Sequence, residues 1–198
     1  MPPNPDRTML EAMDAREIYT RCSAAFAGRV HAVDGRWDRP TPLPGWTVRE
    51  LVNHLVNEER WTPPLLHGAT IDEIGDGFDG DLLGPDPVAT FDDAAAAALD
   101  AVRAEGTVEG VAHLSFGDRP AHEYVLQLSA DHLVHAWDLA RALGADETLD
   151  PEVVDALLGW FVEETEALYH EIGVIGPRVE VPGGDPQTEL LGRFGRTP

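Results

Sequence analysis

Apolar residues recur along this chain with the three-to-four-residue spacing of amphipathic helices. Five segments show this pattern, and they run over about 14–33, 47–63, 86–105, 120–143 and 150–168. No comparable run alternates between apolar and polar residues as a half-buried strand would. The pattern therefore predicts an all-α fold, a bundle in which the helices bury their apolar stripes against one another.

Short local signals mark the ends of these segments. Thr47 and Glu50 have the spacing of a capping box at the start of the second helix. Aspartate followed by proline, at 86–87 and again at 150–151, supplies an N-cap and a first-turn proline for the third and fifth helices. Gly144 is a natural stop for the fourth helix.

The connections are less regular than the helices. Residues 40–46 are too rich in proline for a helix, and residues 68–86 form an acidic, glycine-rich loop that is expected to be solvated. Residues 107–118 alternate loosely, which leaves a short strand pair and an irregular crossover as alternatives. We expect a helical unit over 1–174 and a short C-terminal tail over 175–198. The tail is expected to be non-helical, with one turn of helix around 189–194 as an alternative for that stretch.

Length and composition narrow the functional classes. The chain has 198 residues, enough for one domain, and a formal net charge of −22. Such a surface repels phosphate backbones and anionic lipids, so we expect neither nucleic-acid nor membrane partners. Cys22 is the only cysteine, which excludes an intrachain disulfide and thiolate-rich zinc sites. The stretch Met1–Arg7 lacks the layout of a signal peptide, so a cytoplasmic protein is expected.

The fourth predicted helix carries an acidic residue and a histidine on its apolar side. Asp131 and His135 are four residues apart, so they lie one above the other on the stripe that contains Leu128 and Leu139. A buried carboxylate costs free energy unless a partner or a metal ion compensates its charge. A carboxylate and an imidazole one turn apart are a common half of a metal site. The alternative to a metal site is that Asp131 and His135 form a hydrogen-bonded pair within the core.

His54, on the second predicted helix, is the candidate for the other half of the site. It lies at the flank of an apolar stripe, from which it can point into the space between helices. One histidine and an i, i+4 pair leave coordination positions open for water and substrate, as catalytic metals require. His132 is a competing ligand, and Glu58 is either a fourth ligand or an outer partner of His54. Asp138 has the spacing to be an outer partner of His135. For both carboxylates the alternative is a surface ion pair with Arg49, Arg60 or Arg141.

Two stretches carry a resemblance to a known family. Residues 42–55, PLPGWTVRELVNHL, resemble the proline–tryptophan entry and the R-[DE]-L-x-x-H helix of the mycothiol-dependent maleylpyruvate isomerase superfamily, a branch of the DinB/YfiT-like metalloenzymes. Residues 131–139, DHLVHAWDL, resemble the E-x-x-x-H-x-x-D-L signature of the same family. The resemblance extends over about residues 14–174 and has both motifs in the expected order.

The resemblance implies a DinB-like up-and-down four-helix bundle with a short non-helical C-terminal extension. It also implies a divalent metal held by His54, Asp131 and His135, with zinc expected first and nickel, iron or manganese as alternatives. Mycothiol or a similar low-molecular-weight thiol would be the cosubstrate, and a small-molecule electrophile the substrate. The implied function is that of a thiol-dependent S-transferase or isomerase.

Two departures from the family pattern keep other functions open. Asp131 stands where the isomerase has glutamate, and only about 25 residues follow the fifth helix, where the isomerase has a sizeable C-terminal domain. We therefore expect a shorter, metal-binding relative whose reaction the sequence does not assign. A non-catalytic metal-binding or partner-binding bundle is the alternative function, and a homodimer is the alternative to a monomer.

Overall fold

The computed structural model describes residues 13–198, which form a mainly helical molecule with one small sheet. The segment 1–12, where the sequence predicts no signal peptide, lies outside the described residues. In chain order the elements are α1 (Ala15–His31), α2 (Val48–Leu66), α3 (Ile71–Ile74), α4 (Pro87–Arg103), β1 (Val111–Leu114), β2 (Gly117–Pro120), α5 (Ala121–Leu143), α6 (Pro151–Trp160), α7 (Glu163–Glu171) and α8 (Pro186–Arg193). The prediction of a helical fold is confirmed.

The four longest helices, α1, α2, α4 and α5, pack against one another. Helix α5 has α1 and α2 as neighbours and is also contacted by α6. Every residue of α5 from His132 to Ala140 is therefore buried. Large buried side chains fill the interior: Trp137 of α5 itself, and Tyr19, Phe26, Phe91 and Phe161 from other parts of the chain. No helix within residues 13–198 has the length and apolar character needed to cross a bilayer.

The predicted helix signals are confirmed at atomic detail. The Thr47 hydroxyl accepts the N–H of Glu50, and the Glu50 carboxylate accepts the N–H of Thr47, which completes the capping box of α2. Asp86 and Asp150 cap α4 and α6 ahead of their first-turn prolines. Gly144 ends α5 in the left-handed conformation, at φ 67° and ψ 34°.

The predicted end of the second helix near Pro63 is wrong. Helix α2 continues through Pro63 and Pro64 to Leu66. A proline removes a backbone donor and is unfavourable inside a helix. These two prolines lie in the last turn of α2, so few backbone hydrogen bonds of the helix follow them. Continuing the helix also buries Leu65 and Leu66 against the core.

The fifth predicted helix is two helices rather than one. Helix α6 ends at Trp160 and α7 begins at Glu163, because Phe161 leaves helical geometry with ψ at 63°. The Phe161 ring lies 4.5 Å from that of Phe194, and its carbonyl accepts a hydrogen bond from Arg193. Both partners come from the C-terminal tail, so a distant segment stabilises the break.

The expectation of a non-helical C-terminal extension is also wrong in part. Residues Pro186–Arg193 form α8, which Asp185 caps. Leu190, Leu191 and Phe194 are buried in the same apolar cluster as residues of α5 and α6. The division of the chain into 1–174 and 175–198 stays a prediction.

Two connections contain short regular elements. The acidic loop holds α3, a single turn with a capping box from Thr70 and Glu73. Of the alternatives for 107–118, the strand pair is confirmed: β1 and β2 form an antiparallel hairpin with Val111 opposite Pro120 and Leu114 opposite Gly117. The hairpin packs against α2 and α5.

Candidate metal centre

His54, Asp131 and His135 come together between α2 and α5. One donor atom from each lies within 4.8 Å of the other two, and this is the group of potential metal ligands found within residues 13–198. The Nε2 atom of His54 is 3.1 Å from Oδ2 of Asp131, and Nε2 of His135 is 3.2 Å from Oδ1 of the same carboxylate. The structure therefore brings the three predicted residues to one point.

The packing of two helices explains this convergence. Asp131 and His135 share a face of α5 because they are one turn apart. Helix α2 packs beside that face, and its flank position 54 points towards it. His135 is buried, whereas the side chains of His54 and Asp131 keep 29% and 31% of their exposure. The donor group is thus held by the core and open on one side.

The three side chains perturb one another electrostatically. Burial alone would raise the pKa of Asp131, but the imidazoles of His135 and His54 outweigh it and hold that pKa well below its usual range. Burial opposes the charged form of His135, yet Asp131 and then Asp138 raise the pKa of His135 to about 9. A metal ligand must be a neutral imidazole, so an ion bound here would compete with a proton on His135.

His135 is fixed from its other side by Asp138, as its spacing predicts. The Nδ1–H of His135 donates to Oδ2 of Asp138 at 2.9 Å, which leaves Nε2 for the donor group. Asp138 is fully buried and also accepts hydrogen bonds from Arg196. No spacing rule could reveal Arg196, because it lies 58 residues further along the chain.

Trp46, in the proline-rich entry to α2, covers part of the site. Its ring lies 5.4 Å from the ring of His54, edge to face, and 6.4 Å from that of His135 in a stacked arrangement. The Trp46 carbonyl accepts hydrogen bonds from the backbone and the hydroxyl of Thr41. The entry segment therefore supplies an aromatic wall, which the motif alone did not predict.

His132 does not join the donor group. Its ring is completely buried, with Nε2 2.6 Å from a carboxylate oxygen of Glu59 and Nδ1 2.7 Å from the carbonyl of Leu128. The Tyr19 hydroxyl donates to the second oxygen of Glu59. Because both ring nitrogens have partners in the core, His132 is a structural residue.

The donor group lies in a pocket of about 870 Å³. The walls are mostly apolar and aromatic and come from several elements, among them Trp61, Leu65, Leu114, Phe116, Tyr169 and Ile175. Glu58 also lines the pocket, and burial, followed by the charge of Asp131, raises the pKa of its carboxyl. Glu58 is not one of the three converging donors. The pocket has the size and lining typical of sites for small molecules.

The fold and site together define a class: mainly helical proteins with a histidine–aspartate–histidine cluster between two core helices and a pocket above it. The family model of the mycothiol maleylpyruvate isomerase N-terminal domain matches residues 19–140, which include all three converging residues. The chain belongs to this family. The resemblance found in the sequence is confirmed.

The chain is also similar in sequence to two mycobacterial proteins and in fold to a solved structure. The chain is 31% identical over 179 residues to the uncharacterized proteins MT0763 and Rv0738 from two strains of Mycobacterium tuberculosis, with 86% of this chain and 85% of each relative covered. Its fold is similar to the crystal structure of a mutant of the mycothiol-dependent maleylpyruvate isomerase, with a TM-score of 0.59 and 18% identity. That match covers 80% of this chain and 74% of the isomerase chain.

Proposed function

We propose that this protein binds a divalent metal ion through His54, Asp131 and His135. The observation that carries the proposal is the convergence of two imidazole nitrogens and a carboxylate oxygen at an open pocket. Ligands bound at 2.0–2.2 Å to a tetrahedral ion lie about 3.3–3.6 Å apart. His54 Nε2 and His135 Nε2 lie 3.1 and 3.2 Å from different oxygens of Asp131, and one donor atom of each residue lies within 4.8 Å of the other two, so small side-chain shifts would place three donors around one ion. Zinc suits this ligand set best, with nickel, iron and manganese as alternatives.

The protein then acts as a thiol-dependent enzyme on a small electrophile, by S-transfer or isomerisation. A bound divalent metal lowers the pKa of a thiol and so supplies thiolate at neutral pH. The thiol comes from outside, because Cys22 is buried and is the only cysteine of the chain. Trp46 and the apolar walls of the pocket orient the electrophile and exclude water. A mycothiol-like thiol is the first choice because the family model and the solved relative carry mycothiol in their names.

A non-catalytic metal-binding or partner-binding protein is the second candidate function. The observation in its favour is that Asp131 already contacts both histidines, so the cluster is electrostatically satisfied without a substrate. The pocket favours the enzyme instead, because a storage or structural site has no need of a large cavity at an open coordination face. The catalytic proposal is therefore preferred.

Metal content tests the centre directly. Wild-type protein loaded with Zn²⁺ and desalted should retain about one ion per chain, and His54→Ala should retain almost none, since an open three-ligand site depends on each ligand. The matched control is His122→Ala, because His122 is an exposed histidine of α5 outside the donor group. Elemental analysis provides the measurement, and equal zinc in wild type and His54→Ala would contradict the proposed ligands.

Thiol binding separates the two candidate functions. Adding mycothiol to the cobalt-substituted protein should produce a sulfur-to-cobalt charge-transfer band, since sulfur is a soft ligand that Co²⁺ accepts at an open position. The buried Cys22 gives no such band by itself. Absorption spectroscopy is the measurement, with a thiol-free sugar as the control addition. A cobalt-loaded protein whose spectrum ignores mycothiol and other small thiols would support the non-catalytic candidate.

The architecture and location belong to the same proposal. Helices α1, α2, α4 and α5 form the DinB-like up-and-down four-helix bundle, which their mutual packing supports. The cytoplasmic location and the choice between monomer and homodimer stay predictions.

A further inference from the structure

The C-terminal tail reaches the candidate metal centre through a single side chain. Arg196 donates from Nη2 to Oδ2 of Asp138 at 2.7 Å, and its Nε lies 3.3 and 3.2 Å from the two carboxylate oxygens. Asp138 is fully buried and the side chain of Arg196 is 13% exposed. The same Oδ2 accepts the Nδ1–H of His135 at 2.9 Å. Arg196 Nη2 also lies 3.5 Å from Nδ1 of His135, but both of these nitrogens donate to Asp138, so the short contacts from Arg196 to His135 run through the Asp138 carboxylate.

The tail holds Arg196 in place by several independent contacts. Its Nη1 donates to the carbonyl of Phe194 at 2.6 Å, and its backbone N–H donates to the carbonyl of Leu191 at 2.8 Å. Gly195 has φ at 78°, and a Cβ there would lie 3.1 Å from the carbonyl of Pro177, so glycine is required at this turn. Arg141 of α5 donates to the carbonyl of Thr197 at 2.8 Å. The guanidinium is thus fixed before any ligand binds.

The burial of Asp138 makes this contact consequential. A carboxylate removed from water must be paired and hydrogen-bonded, or it moves or becomes neutral. Arg196 is its charge partner in the tail, and it holds both oxygens in one orientation. With that orientation fixed, Asp138 holds the imidazole of His135 so that Nε2 faces Asp131, 3.2 Å away.

We propose that Arg196 is a positioning residue of the metal centre, which acts through Asp138 to keep His135 Nε2 directed at the ion. The inference rests on the proposed function, since it requires that His135 is a ligand. Arg196 follows the turn at 194–195 that comes after α8 and does not lie on α2 or α5, so the tail is part of the site even though it supplies no ligand.

The affinity for Zn²⁺ tests this inference. Arg196→Met should weaken Zn²⁺ binding about tenfold, because outer partners of metal-bound histidines contribute 10- to 100-fold in affinity. Competition with a chromogenic chelator gives the dissociation constant. The matched control is Arg193→Met: Arg193 anchors the same tail through the Phe161 carbonyl and Glu189 and is not among the partners of Asp138. Arg193→Met should lower thermal stability yet keep the wild-type Zn²⁺ affinity.

A double-mutant cycle separates positioning from general loss of structure. If Arg196 acts through Asp138, then Arg196→Met adds nothing in an Asp138→Asn background, and the double variant binds Zn²⁺ as the Asp138→Asn variant does. The visible spectrum of saturating Co²⁺ should change in Arg196→Met and not in Arg193→Met. If Arg196→Met does not fold, Arg196→Gln carries the same test with a smaller expected loss of Zn²⁺ affinity, because the neutral amide can still donate to Asp138.

The outcomes distinguish this inference from the proposed function. Wild-type protein that binds no Zn²⁺ overturns both. Wild-type protein that binds Zn²⁺ while Arg196→Met binds it with the same dissociation constant overturns the role of Arg196 alone. Independent, additive losses in the double-mutant cycle also overturn it, because they would place Arg196 on a route that does not pass through Asp138.

Discussion

At the scale of single residues, two adjacent glutamates of α2 have opposite surroundings. Glu58 lines the pocket beside the donor group. Glu59 is completely buried, and its two oxygens contact Tyr19 of α1 and His132 of α5. One step along the helix turns the side chain by about 100°. Glu58 therefore faces the candidate site, whereas Glu59 connects α1, α2 and α5 inside the core.

This difference predicts unequal effects on stability. Glu59→Leu should lower the free energy of unfolding by about 3–5 kcal/mol, because it leaves a buried histidine and a buried tyrosine hydroxyl without their partner. Glu59→Gln should lose less, since a neutral His132 can accept from the new amide while Tyr19 donates to its oxygen. Urea denaturation is the measurement. Glu58→Leu is the matched control and should change stability by less than about 1 kcal/mol; equal losses at 58 and 59 would contradict the assignment.

At the scale of elements, α2 and α5 build the site for different reasons. Helix α5 carries two of the three candidate ligands because their spacing puts them on one face. Helix α2 must enter at a defined point for His54 to meet them. The capping box of Thr47 and Glu50 fixes that point. The N–H of Val48, the first residue of α2, also donates to the carbonyl of Arg39 in the preceding segment.

Loss of the cap should therefore affect the whole molecule measurably. Thr47→Ala should lower the free energy of unfolding by about 1 kcal/mol, because an N-cap side chain satisfies an otherwise unpaired backbone donor. Thr70→Ala removes the same kind of capping box from the four-residue helix α3, which has no buried residue, and should cost less. Thermal or urea unfolding of both variants provides the comparison. A larger loss for Thr70→Ala would mean that α3 matters more to the fold than its exposure indicates.

At the scale of the whole molecule, the C-terminal tail completes both the core and the site. Its apolar residues join the cluster of α5 and α6, Arg193 supports the break between α6 and α7, and Arg196 reaches Asp138. The tail passes close to its own backbone at Gly192, where a Cβ would lie 2.8 Å from the carbonyl of Val179 and 2.9 Å from the Val181 side chain.

Two glycine substitutions test how closely the tail is packed. Gly192→Ala should lower the free energy of unfolding by about 1–3 kcal/mol, since it forces an extra methyl group into a filled space. Gly159→Ala in α6, where a Cβ would have no atom within 4 Å, should raise it by about 0.4–1 kcal/mol through the lower entropy of the unfolded chain. Denaturant unfolding measures both. Stabilisation by Gly192→Ala would show that the tail is loosely docked.

The sequence by itself determined the local features of this protein. Helical periodicity, the caps at Thr47 and Asp86, the stop at Gly144 and the common face of Asp131 and His135 depend on residues within about one or two turns of each other. The same spacing rule offered Asp138 as a partner of His135, with a surface ion pair as the alternative, and the structure shows the contact with His135. His54 was a candidate from its place on a helix flank, which gave no firm direction on its own, and the family motif at 42–55 supported it.

Only the tertiary structure decided the contacts between distant parts of the chain. Arg196 and Asp138 are 58 residues apart, and Glu59 and His132 are 73 apart, so no periodicity links them. The break at Phe161 arises because Phe194 and Arg193 of the tail compensate it, which overrides a helical pattern that is locally favourable. Packing free energy is shared among segments that meet only in the folded chain, and for that reason it leaves no local signal in the sequence.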